Sequence, residues 1–371
     1  MVGCGFRAFT ALLIMSAVTL SALALAGYVT PASSVVLVRG AGATFPLPQI
    51  LDWIRLFTPT HPGIVVSYLG IGSGAGQAAF FEGTTNFCGS DPPLTHKAWL
   101  KHHGRVMQTP YLLGAVVITY NLPGLGNATL RLTGKVIAMI YAGKIRYWDN
   151  PLIKELNPGL KLPHKEIVPV YRADASGTQY IFTLFLRKSA PSVWRASWVS
   201  KVAKFPAATQ GFGRGGKGNP GVAEVILHTP YSIGFVEWGY AIEKRMPVAA
   251  IQNAAGKFLK PSVEGLEAAA AEAVKHLPKT PLGDFSRDLN YIVYANAPNA
   301  YPIACWTHLI LWTHYKNPAE ARALATFLKW IVRVGYHHIL PGYAPAPQGV
   351  RELVLKAAQI LESEDGAGAG G

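Results

Sequence analysis

The chain has 371 residues, 50% hydrophobic and only 15% charged, with 34 Lys and Arg against 20 Asp and Glu for a net charge of +14. That length suits about two domains with ample core, and 38 Gly and 27 Pro imply many defined turns. The basic residues are dispersed and no finger, helix-turn-helix or RNA-sheet signature accompanies them, which excludes nucleic acid as a partner; the charge instead steers anions inward.

From Ala8 to Val38 there is no charged residue, and an apolar core over residues 11–26 follows the single Arg7. Ala24-Leu25-Ala26 is a small-x-small site, so residues 1–26 read as a signal segment cleaved before Gly27. An uncleaved membrane anchor is the alternative, because the run approaches spanning length. Cys4 precedes the apolar core, leaving Cys88 and Cys305 as thiols of the mature chain, expected to be buried and inert.

Three loops then repeat one theme. Residues 40–46, with Thr44, precede a helix predicted from apolar Leu47, Ile50, Leu51, Ile54 and Phe57. A strand over residues 64–69 leads into Gly70-Ile71-Gly72-Ser73-Gly74-Ala75-Gly76, which opens another helix. Its glycines also fit a dinucleotide fingerprint with Asp91 downstream, but residues 86–90 leave little room for the second strand that such a fold requires. The third loop, Tyr171-Arg172-Ala173-Asp174-Ala175-Ser176-Gly177-Thr178, stands before the apolar run 180–186. A Ser or Thr at a helix start is ordinarily an N-cap. Three such loops in one chain instead suggest an anion cage of helix N-termini and hydroxyls, with Arg172 adding a fork of donors.

Further strands are predicted over residues 115–120, 167–171, 233–236 and 289–294, alternating with helical patterns, which makes the chain α/β. A late helix follows Asn317-Pro318, with Leu324, Phe327, Leu328, Ile331 and Val334 on its apolar face, and another covers residues 350–361. Asn127-Ala128-Thr129 is a sequon in a turn-rich stretch and is expected to be exposed. The pairs His102-His103 and His337-His338 cannot share a helix face, so no metal site is expected and the histidines read as surface residues. The Gly-rich end, residues 364–371, is expected to be a disordered tail.

The motifs Gly42-Ala43-Thr44-Phe45-Pro46, Gly70-Ile71-Gly72-Ser73-Gly74, Ser90-Asp91-Pro92-Pro93-Leu94 and residues 172–178 together resemble the phosphate-binding protein of ABC phosphate importers. So do residues 143–149, Leu156-Asn157-Pro158-Gly159-Leu160, residues 216–222, Ser232-Ile233-Gly234-Phe235-Val236-Glu237 and Tyr301-Pro302-Ile303-Ala304, in order from about Gly40 to Pro347. Two departures, Asn86-Phe87-Cys88-Gly89 before Ser90-Asp91 and Ala175 where glycine is common, fall on positions not expected to touch ligand.

The resemblance implies a two-lobed periplasmic-binding-protein (Venus flytrap) fold, each lobe a mixed sheet flanked by helices, with ligand in the cleft. Lobe I would comprise residues 35–120 plus 299–363 and lobe II residues 121–298, with hinge crossings near 116–120 and 299–303. It implies a monomeric, extracytoplasmic carrier without cofactor, metal or catalysis, whose partners are inorganic phosphate and a membrane permease. Thr44, Phe45, Ser73, Arg172, Ser176, Gly177 and Thr178 would donate to phosphate oxygens, and Asp174 would hold the Arg172 guanidinium. Asp91 would accept a proton that phosphate offers and sulfate does not, and so reject sulfate. Sulfate, molybdate or tungstate remain alternative ligands. A phosphatase or serine hydrolase acting through Ser73 or Ser176 would need a base beside the serine. Phosphate would be the only party to satisfy donors of both lobes.

Overall fold

The computed structural model describes residues 35–126 and 128–367, with side chains to Ser363. The expected signal segment or anchor, the sequon residue Asn127 and residues 368–371 lie outside the described residues. The last helix, Gln348–Ala367, takes in residues 364–367, the first part of the expected disordered tail. Its inner face is seated by buried Val354, Ala357, Ala358 and Leu361, and each further residue then adds one backbone bond to an existing helix.

The strands are β1 (Val36–Gly42), β2 (Ile64–Gly70), β3 (Phe87–Ser90), β4 (Val106–Asn121), β5 (Arg131–Leu132), β6 (Val168–Arg172), β7 (Arg214–Gly216), β8 (Ser232–Glu237), β9 (Ala250–Gln252), β10 (Phe258–Leu259), β11 (Ala304–Trp312) and β12 (Tyr343–Pro345). In the first lobe the order runs β2-β1-β3-β11-β4, with β12 also on β4; in the second it runs β4-β8-β6-β7. Both halves are mixed. β1 pairs parallel with β2 and β3, and β6 parallel with β7 and β8, whereas β11 and β8 run antiparallel to β4.

β4 is the beam that both lobes share. Its first part, Val106 to Ala115, pairs with β11, and its last six residues, Val116 to Asn121, pair with β8. All but Asn121 are buried, the polar Gln108, Thr109 and Thr119 included. Residues 263–292, given to the second lobe on sequence, lie against the first: Gln108 N–H donates to Pro281 O, Trp99 Nε1 to Leu282 O, and Lys356 Nζ to Lys279 O. Lys188 Nζ then ties this segment to the second lobe through Asn290 O and Val293 O.

Some predicted elements change on folding. Residues 289–294, expected as a strand, form the helical turn Leu289–Ile292; Leu289 and Ile292 are buried three apart, a spacing that a short apolar run cannot distinguish from alternation. In the helix Leu47–Phe57 the buried stripe is Ile50, Trp53 and Phe57, while Leu51 faces outward at 46% exposure. Trp53 takes the inner position because its indole N–H donates to Gly335 O at 2.9 Å. The helix Pro318–Arg333 begins as expected with an Asn317 cap on the Ala319 N–H, but it stops before Val334.

Residues 87–90 do form a strand, so the lack of room for one is not what rules out a dinucleotide fold. The topology does so instead. β1 lies between β2 and β3, so the strands that flank the Gly70 loop and its helix are not neighbours, as a dinucleotide-binding unit requires.

Candidate functional site

Every residue singled out for ligand contact lies at the carboxyl end of a parallel strand, where open α/β sheets bind ligands. Thr44 and Phe45 follow β1, Ser73 follows β2 and Asp91 follows β3; Arg172 ends β6 and Ser176 to Thr178 open the helix after it. The fold brings all eight together, each buried. Gly177 sits at a close approach of the lobes: a Cβ there would come within 2.4 Å of Ser73 Oγ and 2.5 Å of Asp91 Oδ2. No side chain fits at that position.

Both serines are candidate donors, and one of them is also a helix cap. Ser176 is the N-cap of the helix Gly177–Ser189, its oxygen accepting from the Gln179 N–H at 3.1 Å. Ser73 is the first residue of the helix Ser73–Phe81, behind Gly72 at φ 88, a conformation that suits glycine, and its oxygen accepts from the Asp91 N–H at 3.2 Å. In each case the oxygen receives a backbone proton and the hydroxyl hydrogen stays available to an anion. The buried histidine nearby, His308, faces Asp91 and Asp288 and contacts neither serine.

Arg172 is 2% exposed, and its guanidinium is divided in use. Nε and Nη2 donate to the two Asp174 oxygens at 2.8 and 2.5 Å, while Nη1 points to Thr178 Oγ1 at 3.4 Å. Asp174 also accepts from the Gly218 N–H at 3.0 Å. Burial works against its charge, but the Arg172 bonds and charge and the Gly218 bond prevail, holding Asp174 below the usual carboxylate range.

Asp91 is held on three sides. Thr307 Oγ1 donates to Oδ1 at 3.0 Å, leaving Oδ2 on the side of Gly177. Its carbonyl lies 2.8 Å from His308 Nδ1, which must therefore carry hydrogen, and His308 Nε2 lies 2.6 Å from Asp288 Oδ2. Trp306 Nε1 donates to that same Asp288 oxygen at 3.0 Å. A register shift in β11 between Thr307 and His308 accompanies the reach of both consecutive residues to Asp91. Burial raises the Asp91 carboxyl to about 7, a rise moderated by the Thr307 bond and by Arg172, His308 and Thr178.

Asn219 was missed as a site residue, although it stands in the Gly-rich motif at 216–221. It is fully buried at the start of the helix Gly218–Leu227. Its backbone N–H and its Nδ2 both donate to Thr44 Oγ1 at 3.1 Å, Nδ2 also reaches Thr178 Oγ1 at 3.1 Å, and its Oδ1 accepts from the Glu237 N–H at 2.9 Å. Other bonds cross between the lobes: Gly74 N–H to Ala175 O at 2.9 Å, Lys201 Nζ to Gln77 Oε1 at 3.1 Å, and Tyr240 hydroxyl to Thr44 O at 2.8 Å. The lobes therefore meet directly, which corrects the expectation that only a ligand would join their donors. Cys88 and Cys305 are free and buried, and burial raises both thiols.

Residues 29–334 match the PBP superfamily domain. The phosphate-binding protein PstS of Methanocaldococcus jannaschii is 40% identical over 341 residues, covering 89% of this chain and 87% of that protein. The phosphate-binding protein PstS of Pasteurella multocida is 33% identical, covering 89% of this chain and 92% of its own. Among solved structures, a high affinity periplasmic phosphate-binding protein bound with phosphate superposes with a TM-score of 0.65 at 20% identity, over 85% of this chain and 92% of that one. A phosphate-binding protein from Stenotrophomonas maltophilia gives 0.62 at 20% identity over 86% and 93%. The likeness to these structures is one of fold.

Proposed function

Since the chain belongs to the PBP superfamily and, within it, to the phosphate-binding proteins PstS, we propose that it binds inorganic phosphate outside the cytoplasm and delivers it to the membrane permease of an ABC phosphate importer. The observation that carries this reading is the orientation of Asp91. Its Oδ1 is engaged by Thr307 while Oδ2 faces the cluster of Ser73, Gly177 and Thr178. A cage of donors would serve any tetrahedral oxyanion. A carboxyl oxygen set among those donors favours one that brings its own proton, because an ionised carboxylate can only accept.

The donors divide by lobe. Thr44, Phe45 and Ser73 come from the first, and Arg172 Nη1, Ser176, Gly177 and Thr178 from the second, where the first N–H groups of the helix Gly177–Ser189 have no partner within the helix. Phosphate held between them adds contacts to a closed form that the lobes already favour through their own bonds, and that closed form is the signal a permease reads. The carrier acts as a monomer. Thermal-shift screening tests the reading: phosphate should raise the melting temperature at concentrations where sulfate does not. Equal shifts from the two anions would remove the case for phosphate.

A further inference from the structure

The Tyr343 hydroxyl lies 2.7 Å from the Phe45 carbonyl oxygen and 2.8 Å from Glu237 Oε2. It has one hydrogen to give. The Phe45 carbonyl can only accept, and so can an ionised carboxylate. With Glu237 charged, one of these two buried contacts is therefore a pair of oxygens with no hydrogen between them. With a proton on Oε2, Glu237 donates to the Tyr343 oxygen and Tyr343 donates to Phe45. The other carboxyl oxygen, Oε1, accepts from the Gly239 N–H at 2.7 Å, as the carbonyl oxygen of a neutral acid would.

The surroundings point the same way. Glu237 is fully buried at the end of β8. The titratable groups that face it are Tyr343 from β12, Tyr240 from the helix Trp238–Glu243, Asp91 beyond β3 and Cys305 from β11, all of them acids. The nearby cation Arg172, whose charge is felt at Tyr240, is already engaged by Asp174. Charging Glu237 would thus bury a further carboxylate within electrostatic reach of Asp91 without a counter-ion of its own.

We propose that Glu237 is kept as the neutral acid and donates its proton into a chain, Glu237 to Tyr343 to Phe45, that joins the second lobe to the ligand loop of the first and keeps an extra negative charge out of the anion site. Burial first, and the Asp91 charge last, push this carboxyl up to about 8, against the Gly239, Tyr343 and Tyr240 bonds. The sign follows directly. Below that value the chain is complete; as pH rises through it, the proton leaves, the chain loses a hydrogen and the site gains a like charge, so anion binding weakens. The role in binding rests on the phosphate reading, whereas the protonation state does not.

Two measurements on the whole protein separate those claims. Infrared difference spectra of ligand-free wild type against Glu237→Gln at about pH 6.5 should show a protonated-carboxyl C=O band that the variant lacks and that wild type loses at about pH 9.5. Tyr343→Phe should move that band without removing it. Absence of any such difference overturns the proposal. Calorimetry with phosphate at the same two pH values should show wild type losing about tenfold or more beyond the loss in Glu237→Gln, whose amide keeps both bonds and never ionises. Because the ionisation of phosphate itself is common to both proteins, parallel losses would overturn the coupling. Failure of both proteins to bind phosphate at all would instead overturn the phosphate reading, with the infrared result still deciding the state of Glu237.

Discussion

Thr44 of the first lobe and Asn219 of the second are joined by two hydrogen bonds to one oxygen, from the Asn219 N–H and from its side-chain amide, each 3.1 Å long. The same amide reaches Thr178, so a single residue ties together one candidate phosphate donor from each lobe. The ligand loops are thereby set against each other before any anion is considered.

Asn219→Ala should therefore act on closure as well as on affinity. Removing the amide leaves Thr44 and Thr178 short of a buried partner, and phosphate binding should weaken by about 1–3 kcal/mol. Small-angle scattering of the ligand-free variant should give a larger radius of gyration than wild type, with contraction on adding phosphate. A ligand-free scattering curve identical to that of wild type would show that Asn219 does not hold the lobes together.

Arg172 offers a second test. Its Nη1 is the part of the guanidinium that Asp174 leaves free for an anion. Arg172→Ala should weaken phosphate binding by roughly 2–5 kcal/mol, the usual cost of truncating one member of a buried charge pair. A loss below about 0.5 kcal/mol by calorimetry would mean that Arg172 serves only Asp174.

The third prediction concerns pH. With its carboxyl raised to about 7 by burial, Asp91 is ionised above neutrality and protonated below it. An ionised Asp91 repels sulfate, whereas a protonated one can donate to it, so sulfate exclusion should be strong at about pH 8 and erode as pH falls to about 5.5. Competition of sulfate against phosphate at the two values measures this. Selectivity that stayed flat, or improved in acid, would contradict the assigned role of Asp91.

Much of the site was legible because its chemistry is local. Ser176 through Thr178, and Ser73 behind Gly72, lie on loops whose residue types announce a helix N-terminus. What escaped notice comes from far along the chain. Thr307 and His308 reach Asp91 across more than 200 residues, and nothing in Ala304–Trp312 distinguishes them from other polar residues in a strand. His308 was read with the surface histidines, yet it is fully buried between Asp91 and Asp288. Glu237 stands just after the strand predicted over residues 233–236, and the Tyr343 hydroxyl that meets its carboxyl is 106 positions away. The strand expected over residues 289–294 failed for the opposite reason. A short apolar run fits either element, and here packing against β11 selects the helical turn.

The most direct test of the account is calorimetric titration of wild type and Asp91→Asn with phosphate and with sulfate at about pH 8, where the wild-type carboxyl is ionised. The amide keeps the shape of the carboxyl but can donate. Wild type should bind phosphate and show no measurable heat with sulfate, while Asp91→Asn should still bind phosphate and now bind sulfate as well. A variant that excludes sulfate as firmly as wild type would contradict the claim that this carboxylate chooses the anion by its proton.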